Sequence, residues 1–272
     1  MLLPRILTAI VGIPFFLYMI HLGAMPFRVL VLGITLLALY EYALILWTGG
    51  RRVSRFWTVA GGVLVALSVS LDGAGRQAAA GIGFTDLALT LLVMTAVLSE
   101  LFRSEHSLDR AGLTVFGALF IGWTLGHLAL IRDRIPNGEA FTFVLFASVW
   151  VTDTCAYFAG RMFGRRKLAK VISPKKTWEG AAGGLLGAVA TFWLARKFFL
   201  PDLYGPSAAV GLGLLIGTVG QMSDLTQSLV KRAAGAKDSS TLLPGHGGIF
   251  DRMDSFLLLA PIYYYALLVC GL

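Results

Sequence analysis

Charge is scarce in this chain of 272 residues: Asp, Glu, Lys and Arg make up 14% of it, against 57% hydrophobic residues. A water-soluble domain carries charge on roughly a quarter of its residues, so an ordinary soluble fold is excluded. Cysteine is nearly absent. Cys155 and Cys270 have no CxxC spacing and lie in apolar segments, which excludes a cysteine metal site and argues against a disulfide. Low-complexity stretches, internal repeats and a linker long enough to separate soluble domains are also missing. Acidic residues number only 15 against 23 basic ones, a net charge of +8. In a membrane chain such an excess collects in cytoplasmic loops, and no basic and aromatic surface pattern suggests nucleic acid as a partner.

Glycine, by contrast, is plentiful at 32 residues, as in membrane helices that approach one another closely. Apolar runs recur near 5–23, 28–48, 57–72, 84–102, 111–131, 140–160, 179–198, 207–230 and 249–270. Each approaches the ~20 residues that carry a helix across the hydrocarbon core. The fold class expected is therefore all-α, a polytopic membrane protein of about nine transmembrane helices. The first run follows Arg5 and ends in small residues, but its length and the spans behind it favour an uncleaved helix over a signal peptide. With nine crossings, 17 of the 23 Lys and Arg fall on the side of the N-terminus and 6 on the other. That bias places the N-terminus in the cytoplasm and the C-terminus outside a multi-pass cell-membrane protein.

The two parts of the chain differ in kind. Residues 1–135 carry few charges within the spans, Glu41 being the exception, and are expected to support the bundle or give lipid access. Residues 136–272 hold a dense polar set and are expected to be the catalytic region of one integrated membrane domain. Ionisable groups inside a membrane are expensive and by default functional.

Four constellations stand out. In the sixth run Asp153, Tyr157, Gly160 and Gly164 lie along one helical face; a packing seam with one buried Asp is the competing explanation. The following loop is rich in Lys and Arg. A topogenic cluster explains Arg165, Arg166 and Lys167, but less readily Ser173, Lys175, Lys176 and Thr177 just before a helix start, an arrangement suited to phosphate. Trp178 reads as an interfacial anchor. The eighth run carries Gln221, Asp224, Ser228 and Lys231 in register, more polar groups than a structural role needs.

The last constellation is KDSSTLLPGHGGIFDRMD, where Pro244, Gly245, Gly247 and Gly248 form a tight loop whose backbone can approach a ligand. Asp251 and Asp254, three residues apart, are expected to share the first turn of the ninth span and to face Asp224. Such carboxylates suit Mg²⁺, although acidic residues at a helix start are also favoured by its dipole.

The run Ser228–Asp254, SLVKRAAGAKDSSTLLPGHGGIFDRMD, closely resembles the signature of the phosphatidate cytidylyltransferase (CDP-diacylglycerol synthase) family. Ser228, Lys231, Arg232, Lys237, Asp238, His246, Gly247, Gly248, Asp251, Arg252 and Asp254 fall on its pattern. Asp153-Thr154, Ala156-Tyr157, Gly160 and the run SPKKTWEG at 173–180 are similar to the same family. The matched motifs cover about 150–256.

The resemblance implies transfer of a cytidylyl group from CTP to phosphatidate, giving CDP-diacylglycerol and pyrophosphate, at the bilayer surface. Expected roles follow from that chemistry. Asp224, Asp251 and Asp254 would hold Mg²⁺, with room for a second cation or a ligand hydroxyl at Asp153. Lys175, Lys176, Lys231 and Arg232 would hold the phosphates, and His246 would orient a phosphate or the leaving pyrophosphate. Competing readings are an ion-coupled transporter and another lipid-headgroup nucleotidyl- or phosphotransferase. The pairs Gly180/Gly184, Gly183/Gly187 and Gly213/Gly217 allow close packing within one chain or in a homodimer.

Overall fold

The computed structural model describes residues 3–73, 75, 81–242 and 247–272. Pro244, Gly245, His246 and the loop residue Arg76 lie outside these described residues.

Helices occupy all nine apolar runs. They are α1 (Leu3–Leu22), α2 (Ala24–Thr48), α3 (Arg55–Gly73), α4 (Phe84–Leu101) and α5 (Leu108–Gly117). A π-helical segment (Ala118–Trp123) joins α5 to α6 (Thr124–Arg134). Then come α7 (Gly138–Phe163), the strands β1 (Lys167–Ala169) and β2 (Ser173–Thr177), α8 (Trp178–Phe198), α9 (Pro206–Ala233), α10 (Ile249–Arg252) and α11 (Phe256–Val269).

This is an all-α, multi-pass membrane protein. Six helical stretches among the described residues are long and apolar enough to cross a membrane: Ala24–Thr48, Arg55–Asp72, Phe84–Leu101, Leu108–Arg134, Gly138–Phe163 and Pro206–Ala233. Ile10–Leu22 and Phe256–Val269 are apolar but shorter. Helix α8 has 21 residues, yet it is rich in Gly and Ala and ends in Arg196 and Lys197. Of the nine crossings expected, six thus have helices of sufficient length and hydropathy among the described residues, and α1, α8 and α11 do not meet that measure. Large apolar side chains such as Val11, Val93, Met94 and Leu186 stand on the surface, a cost in water that lipid removes.

Two departures from expectation concern the polar half. The loop of residues 161–178 contains an antiparallel hairpin, with Lys167 opposite Thr177 and Ala169 opposite Ser173. The ninth run is not one helix from 249. It breaks at Met253–Ser255, so Asp251 and Asp254 do not share a helical turn. The break is held by hydrogen bonds. Asp254 Oδ1 accepts the Ser255 N–H at 2.7 Å, and the Asp254 carbonyl accepts the Ser223 hydroxyl. Ser223 Oγ in turn accepts the Leu258 N–H at 3.0 Å, satisfying one of the free donors at the start of α11.

By packing the chain forms two compact units, residues 1–134 with 230–253 and residues 135–229 with 254–272. In the first, α3 packs against α2, α4 and α6 over a core of Leu39, Val65, Leu92, Ile121 and Leu125. Gly122 rests on the Gly62 carbonyl and Gly117 lies under the Tyr42 ring, where a side chain would collide. The Tyr42 hydroxyl donates to the Leu113 carbonyl at 2.9 Å, and Arg28 pairs with Asp133 at 2.6 Å.

In the second unit α7 and α8 form the most extensive pairing. Gly180, Gly183, Gly184 and Gly187 face Thr152, Cys155, Ala156 and Ala159 of α7, while Gly213 and Gly217 of α9 meet Val189, Leu185 and Ala188 of α8. All three pairs of small residues therefore pack within the chain. Buried Tyr263 of α11 completes this unit, its hydroxyl donating to the Phe141 carbonyl at 3.3 Å and its ring edge-on to Phe192.

Candidate active site

The second unit holds a cavity of about 510 Å³ lined by α7, the hairpin, the start of α8 and α9. Its polar lining is Asp153, Tyr157, Arg161, Lys175, Lys176, Thr177, Gln221 and Asp224. The elements deliver these groups for local reasons. On α7 the spacing of Asp153, Tyr157 and Gly160 turns all three to the cavity, and Arg161 donates to the Tyr157 hydroxyl at 2.9 Å. Gly164, the fourth residue of that stripe, instead ends α7. The hairpin brings Lys175 and Lys176 to the cavity. It is fastened by the Trp178 N–H to the Arg166 carbonyl at 3.0 Å and by the Arg165 and Arg166 N–H groups on the Glu179 carboxylate.

Thr177 caps α8, its hydroxyl accepting the Gly180 N–H at 3.1 Å. A Cβ at Gly180 would stand 2.8 Å from the Ala156 carbonyl, so the start of α8 reaches the cavity because 180 is glycine. From α9, Asp224 presents one oxygen to Lys176 Nζ at 2.6 Å and the other to the Ser228 hydroxyl at 3.3 Å. Gln221 is held by the Ala181 and Gly217 carbonyls. Ser173 pairs with Ala169 in the hairpin and is not among the residues lining the cavity.

The first unit holds the other polar group. Lys231 Nζ donates to Asp251 Oδ1 at 2.7 Å, and both side chains are largely buried. Asp251 Oδ2 accepts the Ser239 N–H at 2.8 Å, the Ser239 hydroxyl at 2.9 Å and the Gly248 N–H at 3.2 Å. Burial pushes the Asp251 carboxyl up, but the Lys231 ammonium and these backbone donors outweigh it and hold it below the usual carboxylate range. Gly247 has φ +79°, a backbone that suits glycine. Arg232 donates to the Ala236 carbonyl at 3.2 Å, and Lys237, Asp238 and Arg252 stand exposed around the group.

A residue whose role the sequence does not reveal closes this group. Glu41, buried within α2, accepts the Ser239 hydroxyl at 2.7 Å, the Ser240 hydroxyl at 2.6 Å, the Ile249 N–H at 3.0 Å and the Phe250 N–H at 2.8 Å. Its signal was a lone carboxylate in an apolar run.

Two features recur in both groups: a carboxylate on or near α9, and a lysine bonded to it. Lys175 and Arg161 add basic groups to the first, and Arg232 lies beside Lys231 in the second. The residue types also suit Mg²⁺, since Asp224 and Asp251 offer hard carboxylate oxygens. Among the described residues, however, no three His, Cys, Asp or Glu side chains converge on one point.

The family model for the "Cytidylyltransferase family" matches residues 3–270. The chain belongs to that family. Among its curated members, the phosphatidate cytidylyltransferase of Bacillus subtilis (strain 168) is 32% identical over 266 residues, covering 97% of this chain and 96% of its own length. That of Brucella suis is 36% identical over 265 residues, 96% of this chain and 91% of the relative. The Haemophilus influenzae protein of the same name is 34% identical over 290 residues, 97% and 98% of the two chains. Family membership therefore extends over the N-terminal helices, where the sequence motifs offered only hydropathy.

Proposed function

We propose that this membrane protein is a phosphatidate cytidylyltransferase, which moves the cytidylyl group of CTP onto phosphatidate to give CDP-diacylglycerol and pyrophosphate. The observation that carries the reading is the full-length family match together with a cavity lined by two lysines, an arginine and two aspartates. Relatives that match over nearly all of both chains bear the name of that activity.

The chemistry asks little of a general base. A phosphate oxygen of phosphatidate is already anionic and forms the new bond to the α-phosphorus of CTP. The bond from that phosphorus to the bridging oxygen breaks, and pyrophosphate leaves with the electron pair. What the protein must supply is neutralisation and alignment. We assign Lys175, Lys176 and the Thr177-capped start of α8 to the CTP phosphates. Lys231 and Arg232 are assigned to phosphate as well, and Ser228 and Tyr157 to orienting the groups beside them. Lys237, Asp238, Gly247, Gly248 and Arg252 belong to the same substrate-binding proposal, as does Ser173 through the hairpin.

Mg²⁺, when bound, would neutralise charge on the transferring phosphoryl group; Asp224, Asp251 and Asp254 are each proposed as carboxylate ligands for it, although among the described residues the three do not converge on one point. Without the ion, Lys176 and Lys231 keep the first two carboxylates compensated. Asp153 is left to a second cation or to a ligand hydroxyl.

The topology proposed is nine crossings with the N-terminus and the polar groups at the cytoplasmic face, where CTP is found. It is supported by the 17-to-6 division of basic residues. The test is pyrophosphate release by detergent-solubilised protein, which should require CTP, phosphatidate and Mg²⁺ together and stop on chelation. Release without phosphatidate, or none with all three, would overturn the reading.

A further inference from the structure

The role of Glu41 goes beyond every assignment made so far. A carboxylate buried in an apolar helix is costly unless each lone pair finds a donor. Glu41 is 2% exposed, and four donor groups lie within hydrogen-bond distance of it, two on the stretch Ser239–Ser240, of which the Ser239 hydroxyl is shared with Asp251, and two on Ile249–Phe250. These stretches lie on either side of residues 243–246 in the sequence, so one side chain of α2 fastens two stretches within the signature run. Both stretches also serve Asp251: Ser239 gives it a backbone N–H, and Phe250 precedes it in α10. The Ser239 hydroxyl has a single proton and stands between Glu41 and Asp251, at 2.7 and 2.9 Å. Space is tight enough that any side chain at Gly248 would run into the Ser239 hydroxyl and the Glu41 carboxylate.

We propose that Glu41 is a positioning residue, which ties two stretches within the signature run to α2 and so sets Asp251 against Lys231. Its part in turnover rests on the activity proposed above; the clamp itself does not. A carboxylate that served only to hold the fold would lower stability in proportion to the bonds lost and leave turnover per folded molecule unchanged. A positioning residue lowers turnover in protein that remains folded, because small misplacements of reacting groups are costly.

Glu41→Gln separates these roles. The amide keeps the size but presents N–H where an oxygen accepted, so at least one of the Ile249 and Phe250 N–H groups loses its acceptor. In purified protein, hydrogen exchange of the peptide covering Ile249 and Phe250 should speed up about tenfold, the effect of one lost hydrogen bond. Turnover should fall about tenfold or more, with the apparent KM for CTP and for phosphatidate changed by less than about threefold.

Unchanged exchange in a folded variant would overturn the clamp. Faster exchange with parental turnover would overturn the positioning role. If Glu41→Gln does not fold, Ser240→Ala decides, as it removes one donor and leaves the carboxylate three. A drop in its turnover with KM values retained supports the proposal, and parental turnover removes it. Should the parent protein itself lack CTP-dependent release, the proposed activity falls, while the exchange measurement still tests the clamp alone.

Discussion

Lys176 and Asp251 sit in similar pairs but should fail differently. Lys176 lines the cavity with its side chain about one-quarter exposed, but its Nζ is buried against Asp224, so an incoming triphosphate must displace that pair to take the ammonium. Lys176→Ala should raise the apparent KM for CTP about tenfold, the scale of one charge-assisted contact, and leave that for phosphatidate nearly unchanged. Lys176→Arg should recover part of the loss, since the charge returns with a different geometry. Steady-state kinetics with each substrate varied in turn checks this. Asp251 is enclosed. Asp251→Asn leaves the Lys231 ammonium buried without its counter-charge and puts an amide N–H toward the Ser239 and Gly248 N–H groups or toward Lys231. Turnover should fall at least ~10²-fold, as when one preorganised electrostatic contact is lost. The pH dependence follows from the depressed carboxyl. Its folded value lies below its unfolded one, so the stability it contributes is complete above about pH 4 and disappears as pH falls through the folded value. The difference in melting temperature between parent and Asp251→Asn should thus be constant from neutral pH down to about pH 5 and close only in stronger acid. A difference that already closes between pH 7 and 6 would mean that Asp251 is not held ionised in this way.

At the scale of single elements, what decides legibility is whether a signal is local. Helix α7 carries its cavity face in a spacing any helix imposes, and Asp153, Tyr157 and Gly160 could be placed from sequence. So could Gln221 and Asp224 on α9. The hairpin could not: strands of three and five residues are too short to show alternation, and Lys and Arg outnumber everything there. Nor could the break before α11, because no glycine or proline stands at 253–255 and the hydroxyl that holds it is on Ser223, some thirty residues upstream. Glu41 illustrates the same limit. Its presence in α2 was visible, but the four donors come from about two hundred residues further along the chain. The α7–α8 contact lends itself to measurement. A methyl at position 180 would stand only 2.8 Å from a backbone carbonyl of α7 that cannot step aside. Gly180→Ala should therefore destabilise the second unit by about 1–3 kcal/mol, the usual penalty for overpacking, and lower the melting temperature by several degrees. It should also reduce CTP affinity, because the start of α8 backs the cavity. An unchanged melting temperature would show that the two helices separate without cost.

For the whole molecule the question is which helices cross. Among the described residues, six stretches have the length and hydropathy to do so, and two shorter apolar helices lie near the ends of the chain. Helix α8 decides the arrangement, since it is long but carries Glu179 in its first turn and Arg196 and Lys197 in its last. Its packing argues that it crosses. It is sheathed by α7 along its glycine face and by α9 at Val189, Leu185 and Ala188, while Leu186 projects outward, 70% exposed. An apolar residue placed like that is stable in lipid and costly in water. The basic pair at its far end can reach the headgroups with the charges in water. If α8 crosses, Lys170 and Gly205 stand on opposite faces of the membrane; if it does not, they share one. Single cysteines test this in a chain with Cys155 and the exposed Cys270 replaced by serine. Ser104 and Lys170 are exposed, and a side chain at Gly205 meets nothing, so each site accepts the probe. An impermeant maleimide should label Gly205→Cys in intact cells, but Ser104→Cys and Lys170→Cys only after lysis. Equal labelling of Lys170→Cys and Gly205→Cys would remove the α8 crossing, and with it the nine-span arrangement and the 17-to-6 division of basic residues that depends on it.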